Sequence, residues 1–225
     1  MEKGKLLLEN KNVQMNKITN LMKATLRGLE KLNVDEIDES DIEGIENILF
    51  EYQLINGERT NITVEDISYF PALKNITLKG YKLSMKDIET LSRNKKLNSV
   101  SFDECDLREI DFEKIEDFPE TIVILGYTKI PKKLPKVRNI KVINSIINFN
   151  SIDLESINSI EIIDSTINCI RNISDYEQIT NTNFDGSNFY DSEGTIVEDI
   201  EVPKKSTYSH KGKVIYKVDG ITREN

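Results

Sequence analysis

One spacing of apolar residues recurs along this chain and limits its fold more than any other feature. From Leu73, apolar side chains fall at positions 1, 4, 6, 9 and 11: Leu73, Ile76, Leu78, Tyr81 and Leu83. The same offsets from Leu97 give Leu97, Val100, Phe102, Cys105 and Leu107. Those from Val137 give Val137, Ile140, Val142, Ser145 and Ile147, and those from Ile157 give Ile157, Ile160, Ile162, Ser165 and Ile167. Ile179 starts another copy (Ile179, Thr182, Phe184, Ser187, Phe189), and Ile45 a weaker one (Ile45, Ile48, Phe50, Gln53, Ile55). A fourth unit lies between those at 97 and 137. In it Ile122, Ile124 and Tyr127 fit positions 4, 6 and 9, position 1 is Pro119, and Ile130 lies one residue late. The seven starts, at 45, 73, 97, 119, 137, 157 and 179, are 28, 24, 22, 18, 20 and 22 residues apart. A period of this size marks a chain of stacked supersecondary units.

Positions 4 and 6 alternate as a short strand with one buried face requires, and positions 9 and 11 bring the chain inward again. A single unit cannot bury its own apolar face, so the units must stack. Seven strands at ~4.8 Å would span about 29 Å.

The pattern resembles the leucine-rich repeat, L-x-x-L-x-L-x-x-N/C-x-L, over roughly residues 45–190, with isoleucine replacing most leucines. The Asn/Cys position holds Cys105 once and Ser three times, at Ser145, Ser165 and Ser187. Serine and cysteine can hydrogen-bond the turning backbone there, more weakly than asparagine. Phe70-Pro71, Phe118-Pro119 and Leu134-Pro135 also look like the approach to the next strand in bacterial leucine-rich repeats. The resemblance implies an α/β leucine-rich-repeat solenoid: a parallel strand stack of about seven units, an N-terminal capping helix and a C-terminal β-hairpin.

The segments returning from strand to strand differ in length. Met85, Ile88 and Leu91 sit at helical spacing behind Ser84, a suitable N-cap. Val64, Ile67 and Phe70 repeat that spacing in the first unit, and Phe112, Ile115 and Phe118 in the third. The 18- and 20-residue units lack room for a helix and should return through extended or 3-10 segments. A curved face is expected near the N-terminal half, and a flatter, β-helix-like stack after about residue 119.

The flanks are not repeats. A helical stripe (Ile18, Leu21, Met22, Thr25, Leu26, Leu29, Leu32) within residues 15–32 suits a cap over the open end of the core. Residues 35–46 carry seven Asp/Glu but lack calcium-loop spacing, and read as a solvated linker. The segment around Lys211-Gly212 reads as two strands of a hairpin. The expected organisation is a helical cap and acidic linker over 1–44, the solenoid over 45–195 and a terminal hairpin over 196–225.

Composition narrows the function. A net charge of -9 argues against general affinity for nucleic acid or anionic membranes. No apolar run approaches the ~18–20 residues of a membrane span, and Leu6–Leu8 is too short for a signal-peptide core. The chain as given therefore reads as cytoplasmic, or as secreted or surface-bound if a leader was removed. Two cysteines and one histidine make neither a disulfide framework nor a transition-metal site. Cys105 and Cys169, separated by about 14 Å of stack, are expected to be free thiols. His210 reads as a surface residue of the hairpin. No phosphate-binding glycine loop is present, and no cofactor or enzymatic activity is expected.

The candidate site is the strand face turned away from the core. Positions 5 and 7 place Val123, Leu125, Ile143 and Ile163 together across three consecutive units, with Lys141 and Glu161 beside them. Contiguous exposed apolar residues mark partner surfaces, and a polar rim around an apolar centre is ordinary interface anatomy. The same residues could instead be covered on both faces or meet a neighbouring copy. The expected function is a protein-interaction module for a protein partner, with self-association through this face or the hairpin as another mode. A bacterial surface or adhesion fragment is one alternative. A carbohydrate-active enzyme using Asp103, Glu161, Asp164 and Lys141 in a solenoid groove is another.

Overall fold

The computed structural model describes residues 43–51, 54–55, 58–59, 67, 70–198, 200, 202–203, 207–210, 213–218 and 221–224. The expected N-terminal helix, most of the acidic run, Val64 and the Lys211-Gly212 turn lie outside the described residues.

In chain order the strands begin with β1 (Asn47–Glu51), β2 (Leu54–Ile55), β3 (Glu58–Arg59), β4 (Asn75–Lys79), β5 (Ser99–Asp103) and β6 (Thr121–Leu125). There follow β7 (Asn139–Ile143), β8 (Ile146–Asn148), β9 (Ser159–Ile163), β10 (Thr166–Asn168), β11 (Asn181–Asn183) and β12 (Asn188–Phe189). The last three are β13 (Thr207–His210), β14 (Lys213–Val218) and β15 (Ile221–Glu224). One sheet runs β1-β4-β5-β6-β7-β9-β11-β13-β14-β15, and all pairings from β1 to β13 are parallel.

The architecture is an α/β solenoid of stacked parallel strands, with the register that the leucine-rich-repeat-like spacing predicts. Position 4 forms one rung across the sheet: Ile48, Ile76, Val100, Ile122, Ile140, Ile160 and Thr182. Position 6 forms the next: Phe50, Leu78, Phe102, Ile124, Val142 and Ile162. Both rungs are buried throughout. Branched side chains suit such rungs because a pleated, half-buried strand accommodates them without loss of rotamers. Burying each contributes about 1.5–3 kcal/mol.

The strands β4, β5, β6, β7, β9 and β11 are followed by a left-handed residue at position 8: Gly80, Glu104, Gly126, Asn144, Asp164 and Gly186, with φ between 49° and 76°. This residue turns the chain so that position 9 points back into the core. There the third unit places Cys105, and later units Ser145, Ser165 and Ser187, all buried.

The fourth unit departs from the sequence expectation. Tyr127, which the spacing puts at the inward position 9, is 81% exposed, and Thr128 is buried in its place. One residue is inserted between Gly126 and Thr128. The insertion also accounts for the late Ile130, because Lys129 then pairs with Asp106 at position 10 and Ile130 packs on the core at position 11.

Of the returning segments, Met85–Arg93 forms the helix α1, with Ile88 and Leu91 buried and a capping box between Ser84 and Asp87. Such a cap contributes about 1 kcal/mol. The third unit does not match its helical spacing: only Phe112–Lys114 turns, as a 3-10 helix, and Ile115 is extended. Pro119 keeps only the last residue of that spacing, Phe118, away from the helical region. The fifth unit returns through two 3-10 turns, Phe149–Ser151 and Leu154–Ser156. A second parallel ladder, β8-β10-β12, appears only in these later units, giving them the expected β-helix-like second wall.

The C-terminal hairpin is present and more extensive than expected. β13 extends the parallel ladder beside β11 (Thr182 opposite Tyr208), then pairs antiparallel with β14, which pairs with β15.

Candidate functional site: the outer face of the parallel sheet

The odd positions of each strand point away from the core, and the register aligns them into three rails. At position 5 the rail runs Leu49, Thr77, Ser101, Val123, Lys141, Glu161, Asn183. At position 7, Lys79 and Asp103 are followed by Leu125, Ile143 and Ile163 on β6, β7 and β9. The structure thus brings together all six residues singled out in the sequence. Leu125, Ile143 and Ile163 are consecutive rungs of one rail, and Val123, Lys141 and Glu161 consecutive rungs of the other.

Their exposure is smaller than the sequence suggests. All six are half-buried, because neighbours at strand spacing cover one another's flanks. Among the described residues, the large apolar side chains most open to water are Leu49, Tyr127, Ile146 and Ile196. Tyr127 follows Leu125 by two residues, in the turn at the end of the apolar rail.

Charges on this face are arranged in pairs. Lys141 Nζ lies 3.0 Å from Glu161 Oε2, joining adjacent rungs of the position-5 rail. Lys79 Nζ lies 3.7 Å from Asp103 Oδ2 at the N-terminal end of the position-7 rail. Glu104 and Asp164 are exposed at position 8 and make no ion pair among the described residues.

A third rail, at position 3, escaped the sequence reading. It holds Asn47, Asn75, Ser99, Thr121, Asn139, Ser159 and Asn181, all small and polar. The Asn75 amide donates to Asn47 Oδ1 (2.7 Å), Asn139 to Thr121 Oγ1 (3.2 Å) and Asn181 to Ser159 Oγ (2.9 Å). Cross-strand polar pairs of this kind help hold strands in register. The signal was available: Asn, Ser or Thr stands one residue before position 4 in every unit.

Of the carboxylates a solenoid-groove enzyme would use, Asp103 and Glu161 do not form a pair. Asp103 on β5 and Glu161 on β9 are three strand steps apart, about 14 Å, whereas catalytic carboxyl pairs stand roughly 5–9.5 Å apart. Among the described residues, no group of three His, Cys, Asp or Glu is placed to hold a metal ion. Cys105 is a free thiol at 1% exposure, and burial pushes its pKa up to about 11. Cys169 is also free, at intermediate exposure. Asp106 is held down at about 2 by a two-pronged contact from Arg108, whose Nε and Nη2 donate at 2.9 and 2.7 Å.

The opposite side carries a cleft of about 280 Å³, where 3-10 turns and extended segments replace helices. Leu134, Leu154 and Tyr176 line it, with Lys133, Lys136 and Arg171 at its edge. Those cations are engaged: Lys133 donates to the Asn150 carbonyl, Lys136 meets Asp153 at 3.8 Å, and Arg171 points to the Ile152 carbonyl. Among the described residues, no helix is long and apolar enough to cross a membrane.

No family model and no curated protein matches the sequence. Among solved structures the chain is similar to internalin C2 from Listeria monocytogenes, at 16% identity and a TM-score of 0.41. The match covers 76% of this chain and 85% of that one. At that distance, the solenoid architecture of this chain stands on its own strand ladders.

Proposed function

We propose that this protein is a non-enzymatic interaction module that presents the outer face of its parallel sheet to a protein partner. The observation that carries this is the run of Leu125, Ile143 and Ile163 on consecutive rungs of a rail facing away from the core. A side chain on that rail contributes nothing to the buried rungs at positions 4 and 6, so its apolar character needs another reason. Val123 and Tyr127 extend the apolar surface, while Lys141 and Glu161 give register at its edge. A sheet held by seven rungs is already ordered, so binding to it costs little conformational entropy.

The test is Ile143→Asp. It should leave the protein folded, with an unfolding midpoint lowered only modestly because the half-buried side chain lies outside the buried rungs, and should abolish retention of whatever the immobilised parent protein captures from its host-cell lysate. Identical capture by parent and variant would refute the interaction face. Light scattering on both proteins covers self-association: a dimeric parent with a folded monomeric variant would make the partner a second copy.

A further inference from the structure

The charge around the apolar rail specifies the partner's chemistry. Leu125, Ile143 and Ile163 occupy three adjacent strands, and position 8 runs beside them toward the turns. On that line Glu104 lies one strand before Leu125, and Asp164 directly follows Ile163. The two are three strand steps apart, about 14 Å. Both are exposed and lack an ion pair among the described residues. Across the rail, Lys141 and Glu161 neutralise each other at 3.0 Å. The uncompensated charge of the rim is therefore negative at both ends, on a chain whose net charge is -9.

We propose, resting on the interaction face above, that the partner presents an apolar segment bracketed by two cationic side chains about 14 Å apart. The apolar centre sits on Leu125, Ile143 and Ile163, and the cations meet Glu104 and Asp164. In an extended segment at ~3.4 Å per residue, 14 Å corresponds to cations four residues apart, crossing the strands along the stack. A second copy fits poorly, because it would bring this acidic rim against an equally acidic surface. Rim charges of this type govern selectivity and association rate more than total affinity, so the signature is a preference among partners that fades with salt.

Three end-blocked pentapeptides test this: Lys-Val-Leu-Val-Lys, Ser-Val-Leu-Val-Ser and Glu-Val-Leu-Val-Glu, titrated into 15N-labelled full chain at 50 and 300 mM salt. The lysine peptide should shift amides of residues 123–125, 143–144 and 163–164. It should bind about threefold to tenfold more tightly than the serine peptide at low salt, with the glutamate peptide weakest. The double variant Glu104→Gln/Asp164→Asn should reduce the lysine peptide to the serine peptide's affinity; both replacements keep the side-chain shape at these left-handed positions. Equal binding of all three peptides at the face would overturn the basic-partner proposal and leave the interaction face standing. No shift of these amides by any peptide would overturn both. Shifts at the same amides from protein concentration alone would replace the basic partner with a second copy.

Discussion

Thr128 Oγ1 lies 3.1 Å from the backbone nitrogen of Cys105, 23 residues away in sequence and one repeat away in space. The hydroxyl accepts the Cys105 amide and lies 3.0 Å from the Phe102 carbonyl and 2.8 Å from that of Leu125. The same connection recurs later in the stack: Ser165 Oγ accepts from the Ser145 amide, and Ser187 Oγ from the Ser165 amide, both at 3.2 Å. A ladder of hydroxyls thus does what asparagine does in the repeat pattern this sequence resembles. Thr128→Val keeps the shape and removes the acceptor, leaving a buried N–H unpaired. It should cost about 1–3 kcal/mol in urea unfolding, and Thr128→Ser less than half of that. Equal costs for the two variants would mean that packing, not the hydrogen bond, matters there.

The position-8 turns separate backbone strain from steric clash. Gly186 has φ +67°, and a Cβ there would meet Asp164 Oδ1. The carboxylate is the end of an exposed side chain and can swing away, so the larger cost of Gly186→Ala is the left-handed backbone, about 1–2 kcal/mol. Repeating the substitution in an Asp164→Gly background should recover at most about 0.5 kcal/mol of it. A recovery of most of the loss would show that the clash dominates.

Glu104 occupies the same turn position at φ 52° without the short polar side chain that lets Asn144 and Asp164 bond locally. Glu104→Gly should therefore raise stability by about 0.5–1 kcal/mol, the strain relieved exceeding the added unfolded-state entropy. A lower midpoint in urea would contradict this.

The buried half of the solenoid was legible because its signal is periodic and strong. Ile76, Val100, Ile122, Ile140 and Ile160 fall on one rung because period-2 alternation and a fixed repeat offset leave no other register that buries them. The outer face was legible only by complement, as what remains when positions 4 and 6 turn inward. That gave Leu125, Ile143 and Ile163 their alignment but overstated their exposure, which depends on the neighbouring rungs. Tyr127 was misplaced because an inserted residue is invisible to a fixed offset until a hydrogen bond, here to Cys105, decides which neighbour turns in. Phe112, Ile115 and Phe118 kept helical spacing without a helix because periodicity does not register backbone torsion, such as the restriction that Pro119 places on Phe118.

Thiol chemistry should divide the two cysteines. Cys105 is 1% exposed, and burial raises its pKa to about 11, so at pH 8 almost none is thiolate. Cys169 is partly exposed, with the Asn148 amide 3.6 Å from its sulfur. Iodoacetamide at pH 8 should add one label per folded chain, at Cys169, and two per chain in urea, counted by mass spectrometry. Rapid double labelling of the folded protein would mean that the stack around Cys105 opens far more readily than its packing implies.

Asp106 supplies a pH signature for the ladder at position 10, where it bridges Lys82 and Lys129 on neighbouring units. The Arg108 guanidinium holds its carboxyl at about 2, chiefly through the side-chain hydrogen bond. A depressed folded-state pKa stabilises the fold above the unfolded value of about 3.9, and that contribution is lost as pH falls from about 4 through 2. Arg108 is largely exposed, so the effect on global stability should be small and best read at the residue itself. In an NMR titration, Asp106 of the parent should titrate near 2, and Arg108→Ala should move it upward toward 3.9. The stability difference between the two proteins should be present in full at pH 6 and shrink progressively as pH falls from about 4 through 2. An Asp106 that titrates near 3.9 in both would show that the two-pronged contact does not persist in solution.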